Sequence, residues 1–471
     1  MAYCHPAETN CVQQIVSSIL SYFLAKGLAA GENAARFLPF SNHAPGSGPR
    51  SLQDRVYAGT QSIVDRLGSN AELLFLAGDE YQAKVVELAF DALNPDRALD
   101  PRQWKQLAVP LAQQFVLFER ALQLTQLSTY RDQFKNARYS FDLVLQNATT
   151  LGIPSAGVVD LDTFIPEAYG KGEFESPWTV EGLGHVYSQR VWIDKWGTSA
   201  EARGILTDGQ AARLPDKSLT MMHAGLGLAL AEILLKEITP NGDRRETDRV
   251  VRQFVQLCRN NSRPGYAGCA MESFGLETRV FHYRLVGEVQ QALRDIDEEA
   301  WEFFWRGAGR GLYFSPGHAI QPVYSPWIAA EQEAPSERVL ASLRSGLAWA
   351  ANLVNMRTPR VFELLIQLYG KSKEQQAAIR QGVAASVTMA IDIVPNHAVV
   401  QSYRAYVPED PEVRPLWKDL VHDPVVNAVE RYHPILKANN MLDQVFRFQD
   451  IETLVSRLEN TKSNRALAAR G

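Results

Sequence analysis

The chain has 471 residues with 46% hydrophobic and 21% charged content, an ordinary balance for a globular chain long enough for two to four domains or one long repeat array. The net charge of −5 comes without any concentrated basic face, which argues against nucleic acid as a partner. Four cysteines, Cys4, Cys11, Cys258 and Cys269, show no C-x-x-C and no zinc-finger spacing, so they read as free thiols in a reducing compartment.

In chain order, residues 1–50 hold one amphipathic helix, about 12–29, and a Pro/Gly/Ser-rich linker, 38–49. The apolar run of that helix is broken by Ser17, Ser18, Ser21 and Lys26, too polar for membrane insertion, and no basic n-region of a signal peptide precedes it. The expected location is therefore cytoplasmic. Residues 51–175 form a helical region with apolar residues at three- and four-residue steps, including Trp104, Leu107, Leu111, Phe115, Phe118 and Leu122. Only Val158-Val-Asp-Leu-Asp162 has strand character, boxed in by Pro154 and Pro166.

Residues 176–396 carry one short glycine-bearing pattern six times. The copies are Val180-Glu-Gly-Leu-Gly-His-Val-Tyr187, His223-Ala-Gly-Leu-Gly-Leu-Ala-Leu230, Gly268-Cys-Ala-Met-Glu-Ser-Phe-Gly275, Arg306-Gly-Ala-Gly-Arg-Gly-Leu-Tyr313, Ser345-Gly-Leu-Ala-Trp-Ala-Ala351 and Gln381-Gly-Val-Ala-Ala-Ser-Val387. Gly309, Gly346 and Gly382 follow at intervals of 37 and 36, the period of stacked helical hairpins. The fold expected is all-α, an array of helical hairpins packed through glycines, in the manner of an α-solenoid or an α/α-toroid. Residues 397–471 form a C-terminal helical extension, with a helix near 449–461 and a disordered tail from Lys462.

The segments Val180-Glu-Gly-Leu-Gly-His, His223-Ala-Gly-Leu-Gly-Leu-Ala-Leu and Arg306-Gly-Ala-Gly-Arg-Gly-Leu-Tyr resemble successive blocks of an uncharacterised bacterial family found in gene clusters for enediynes and related polyketides. The likeness covers about residues 176–369. It departs from the family pattern at Val180, where the family has tyrosine, and at Leu228, where it has tryptophan. The resemblance implies a setting in specialised-metabolite biosynthesis and brings no catalytic residue with it.

Three groups of residues carry candidate chemistry, and each also has a purely structural reading. Glu181 and His185 share a helix face and, with His223 from the next glycine block, could hold zinc, iron or manganese; otherwise they are a helix-terminal carboxylate and hydrogen-bonded histidines. Glu272, Arg279 and His282 are the candidate catalytic residues, or else an ion pair locking two hairpins. Arg310, Tyr313 and Trp349 are the candidate substrate-binding residues. They belong to a run rich in Trp and Phe, from Trp301 to Trp349, that must be core or pocket lining. Arg306-Gly-Ala-Gly-Arg-Gly follows a helical stretch rather than a strand, so it is a poor phosphate loop. Asp160-Leu-Asp and Asp295-Ile-Asp lack the aspartate motifs of terpene cyclases. No Gly-x-Ser-x-Gly, His-Glu-x-x-His, Walker or dinucleotide pattern occurs.

These observations give an expected function: binding an apolar polyketide or isoprenoid intermediate in a helical cavity, with cyclase-, lyase- or tailoring-type chemistry on it. The alternative is a non-catalytic helical scaffold for a protein partner. The cofactor, oligomeric state and substrate are not legible at this level.

Overall fold

The computed structural model describes residues 151–154, 156–314 and 325–468, with a few helical residues between 136 and 144. The helix and linker expected in 1–50, most of the region expected in 51–175, Cys4, Cys11, Tyr324 and the last three residues lie outside the described residues. The chain divides into two compact units, Met1–Arg131 and Asp132–Gly471, and the described residues all belong to the second.

This unit is helical throughout, with no strand among the described residues. In order come α1 (Leu161–Gly170), α2 (Glu175–Trp196), α3 (Leu219–Leu235), α4 (Arg244–Asn261), α5 (Ala267–Phe281), α6 (Val286–Ile296), α7 (Glu298–Phe314), α8 (Ser325–Glu333), α9 (Glu337–Asn355), α10 (Pro359–Tyr369), α11 (Lys373–Ile393) and α12 (Ala398–Ala405). A helical stretch, α13, covers 414–438, and α14 (Ile451–Ala468) ends the described chain.

The expected strand at 158–162 is instead an irregular lead-in, 158–160, followed by the first two residues of α1. Asp160 caps that helix, its carboxylate accepting from the Asp162 amide at 3.1 Å and the Thr163 hydroxyl at 2.5 Å. A side-chain cap of this kind fixes the start of the helix at Leu161. α14 also runs on through most of the tail expected to be disordered, where Lys462, Arg465, Ala466, Leu467 and Ala468 are all good helix formers.

The helices fall into two kinds. The six glycine patterns lie in α2, α3, α5, α7, α9 and α11, whose pattern segments are buried on nearly every side. Between them run helices apolar on one stripe only. α4 buries Val250, Val251, Phe254, Val255, Leu257 and Cys258 while exposing Arg245, Arg249, Arg252 and Arg259. α6 and α10 are built in the same way.

Each inner helix packs on the next, in the order α2, α3, α5, α7, α9, α11, and α11 also touches α2 and α3. α3 is long and apolar enough to pass for a membrane span, but 89% of its most apolar window is buried inside the protein.

The α5–α7 crossing shows why glycine is required. A Cβ on Gly275 would overlap the Phe304 carbonyl, and a Cβ on Gly307 would overlap the Glu272 carbonyl. Two backbones come into contact there, and that contact brings Glu272 beside the middle turns of α7.

The C-terminal residues close on this core. In α13 the turns 418–422 and 428–432 are wider π-turns, with the Asp423 amide donating to the Lys418 carbonyl and the His433 amide to the Ala428 carbonyl. Pro424 and Pro434 follow these turns; each lacks an N–H and would clash with the carbonyl four residues back in a regular helix. α13 packs on α11, and the 3₁₀ turn Leu442–Phe446 packs on α5, α7 and α11.

Candidate functional site: a buried charge cluster

Four charged side chains meet in the core. Glu181 of α2, Glu272 of α5, and Arg306 and Arg310 of α7 are each at most 2% exposed. Arg310 donates through Nη2 to Glu181 Oε1 and through Nη1 to Glu272 Oε2 at 3.0 Å. Arg306 donates through Nη1 to Glu272 Oε1 at 3.3 Å. Arg306 and Arg310, one helical turn apart, thus share the carboxylate that the glycine crossing delivers.

Aromatic rings cover the cations. The guanidiniums of Arg306 and Arg310 lie 5.4 and 5.1 Å from the ring of Trp349 on α9, and Arg306 lies 5.4 Å from Phe446. These are cation–π distances, stronger where water is excluded.

The cluster is not satisfied internally. Glu181 Oε2, Arg306 Nε and Nη2, Arg310 Nε and the Trp349 indole N–H are all buried without a hydrogen-bond partner. Each unmade bond of this kind carries a desolvation penalty of about 1–3 kcal/mol, more for charged groups.

The protonation states follow from the same burial. Desolvation pushes the Glu181 carboxyl up, against the opposing pull of Arg310. It pulls Arg306 down to about 10, with Glu272 resisting. For Arg310, burial works against the cation and is outweighed by Glu181 and Glu272.

The residues expected to form one metal site do not converge. His185 bonds Glu232 at 2.9 Å, beside Gln189, rather than Glu181. His223 places Nδ1 2.6 Å from the Leu219 carbonyl and accepts the Arg263 amide through Nε2 at 3.0 Å, with its ring stacked on Tyr266. Both nitrogens are thereby committed in the neutral tautomer, which leaves no lone pair for a metal. No group of three or more His, Cys, Asp or Glu able to hold a metal occurs among the described residues.

The expected catalytic trio is likewise divided. Glu272 belongs to the buried cluster. Arg279, on the last turn of α5, makes a two-pronged bond to Glu333 of α8 at 2.8 and 2.6 Å. His282 is the half-buried C-cap of α5, under the influence of Lys236 and Glu232.

Of the expected substrate-binding residues, Arg310 and Trp349 are in the cluster. Tyr313 lies one turn further along α7, where its hydroxyl accepts from Asn355 at 2.8 Å. The helical periodicity left Arg306 and Phe446 unassigned. The four-residue spacing of Arg306 and Arg310 was the available signal for the first, and nothing local marked the second.

A second polar cluster involves Asp392, near the end of α11. Its carboxylate accepts from Thr220 at 2.7 Å, His433 at 3.0 Å and Lys437 at 2.6 Å, joining α3, α11 and α13.

No protein-family model, no curated protein and no solved structure matches the chain.

Proposed function

We propose that the six glycine-bearing helices form an α/α-toroid-like ring, and that its interior takes an apolar polyketide or isoprenoid intermediate whose oxygenated end meets Arg306, Arg310 and Glu181. The order of helix contacts and the return of α11 to α2 and α3 support the ring. The resemblance of residues 176–369 to proteins of polyketide gene clusters supports the class of ligand, and a cytoplasmic biosynthetic setting fits both. The chemistry envisaged is of the cyclase, lyase or tailoring type, with acid–base groups supplied by the cluster.

One observation carries the reading. Ionised donors without partners sit deep in the core, packed against aromatic rings. An apolar chain would lie on the rings and an oxygen atom would satisfy the donors, the usual composition of a small-molecule site. A non-catalytic scaffold presenting a concave groove would need the polar residues of the glycine segments along an open surface, and the full burial of Glu181, Glu272, Arg306 and Arg310 weighs against that.

The test is titration of the purified full chain with a fluorescent polyene, cis-parinaric acid, alongside the neutral polyene retinol. Saturable binding of either probe that weakens in Trp349→Ala, in a variant that keeps its melting temperature, supports an apolar interior site. Absence of saturable binding by both probes overturns it.

A further inference from the structure

The polar atoms left over in the cluster define what the interior holds. Four donor nitrogens lack acceptors: Arg306 Nε, Arg306 Nη2, Arg310 Nε and Trp349 Nε1. Both guanidiniums lie beside the same indole ring and share the Glu272 carboxylate, so these donors belong to one cluster. A ligand bound there must be rich in acceptors. Within the cluster the one acceptor atom left over is Glu181 Oε2.

We propose that Arg306, Arg310 and Trp349 bind the carboxylate of a monocarboxylic acid, and that Glu181 turns its unpartnered Oε2 to the same group as a hydroxyl donor. This rests on the reading that the cluster is a ligand site, and it names the group bound there.

Charge selects the class. Two guanidiniums against Glu272 leave a net charge of +1 with Glu181 protonated, and zero with Glu181 ionised. The other titratable groups facing the cluster are the Cys269 thiol, which burial keeps protonated, and His185, which is tied to Glu232. A buried net positive charge needs one compensating negative charge. A monoanion supplies it, whereas a phosphate dianion or a diphosphate would leave excess negative charge out of water. A neutral alcohol would supply two lone pairs for four donors and no charge. The carboxylate offers about four acceptor positions in a plane, the shape that guanidinium donors match best.

Burial favours the neutral form of Glu181, and a bound carboxylate beside it would favour that form further. The Oε2 hydroxyl would then donate to the ligand while Oε1 keeps its bond to Arg310.

The experiment compares three ligands of equal chain length, octanoate, octan-1-ol and octyl phosphate, by calorimetry and melting-temperature shift on the full chain at neutral pH. Octanoate is expected to bind and raise the melting temperature, with the other two at least about tenfold weaker. Trp349→Phe keeps an aromatic ring beside the guanidiniums while removing the N–H together with the rest of the indole, and should weaken octanoate about 3- to 10-fold. Glu181→Gln imitates the protonated acid and should keep octanoate binding within about threefold, at an unchanged melting temperature.

Equal binding of octanol and octanoate would overturn the carboxylate assignment while leaving an apolar interior standing. No binding of octanoate, or binding indifferent to Trp349→Phe, would overturn it as well, and the polyene titration would still decide the wider reading separately. A collapse of the melting temperature in Glu181→Gln would show an ionised Glu181 that Arg310 depends on, and would overturn the donor role.

Discussion

Glu181 and Arg310 are 129 residues apart in sequence, on α2 and α7, and are joined in the core by a hydrogen bond from the guanidinium to the carboxyl group. In the row of inner helices α3 and α5 stand between theirs, so the pair reaches past two neighbours. Arg310 also holds Glu272, which gives the pair a shared counter-charge.

Glu272 is the member on which the others depend, because both guanidiniums bond to it. Replacing it with glutamine removes the one carboxylate common to Arg306 and Arg310 and leaves two buried cations facing Glu181. The expected cost is about 3–5 kcal/mol in urea unfolding. A loss below about 1 kcal/mol would show that the cations are compensated from elsewhere.

The glycine crossings give a prediction with an internal control. Gly307→Ala would drive a methyl group into the Glu272 carbonyl, backbone that cannot yield cheaply, and should cost at least about 2–3 kcal/mol. Gly287 is exposed in the first turn of α6 with nothing within 4 Å of its Cβ position. Gly287→Ala should therefore gain about 0.5–1 kcal/mol through helix propensity. Chemical denaturation of the two variants side by side checks both signs.

These crossings were readable in the sequence because a close approach of backbones demands glycine, and the demand repeats with each inner helix. Helical class followed from three- and four-residue periodicity. The cluster was only half readable. Arg310, Trp349, Glu272 and Glu181 each stood out, but under three different expected roles, since nothing in a linear sequence shows that α2, α5, α7 and α9 point side chains at one place. Arg279 misled for the same reason. It shares a helix face with Glu272, yet it lies at the far end of α5, where Glu333 of α8 is in reach. Asp392 gave no signal at all, its partners His433 and Lys437 being 41 and 45 residues downstream.

His223 and Glu232 predict two acid windows. Burial lowers His223 from 6.5 to about 4, so its contribution to stability is complete above pH 6.5 and is lost as pH falls toward 4. Glu232 is lowered from 4.5 to about 2, chiefly by the His185 hydrogen bond, so its contribution is lost between pH 4.5 and 2. His282 and His397 are also held down by burial and add to the first window. The difference between the wild type and His223→Gln isolates His223. The melting temperature of the variant should fall less steeply between pH 6.5 and 4, and parallel curves would refute the assignment.

Asp392→Asn should loosen the C-terminal segment rather than the inner helices. The amide cannot neutralise Lys437, and it keeps at best part of the bonding to Thr220 and His433. A loss of about 1.5–3 kcal/mol is expected. Hydrogen exchange should speed up in 414–438 more than in α5 or α7, and uniform acceleration would contradict a local clasp.

Arg279 and Glu333 supply the comparison that separates scaffold from site. Their two-pronged ion pair joins α5 to α8 at the edge of the core, with Glu333 about one-third exposed. Screening by water limits such a pair, and a double-mutant cycle with Arg279→Lys and Glu333→Gln should give a coupling of about 0.5–1.5 kcal/mol. Neither change touches Arg306, Arg310 or Trp349, so polyene and octanoate affinities should stay within about twofold of the wild type, even where the melting temperature drops. A loss of ligand affinity in Arg279→Lys, in protein that is still fully folded at the assay temperature, would return Arg279 to the binding site and extend the functional cluster to the far end of α5.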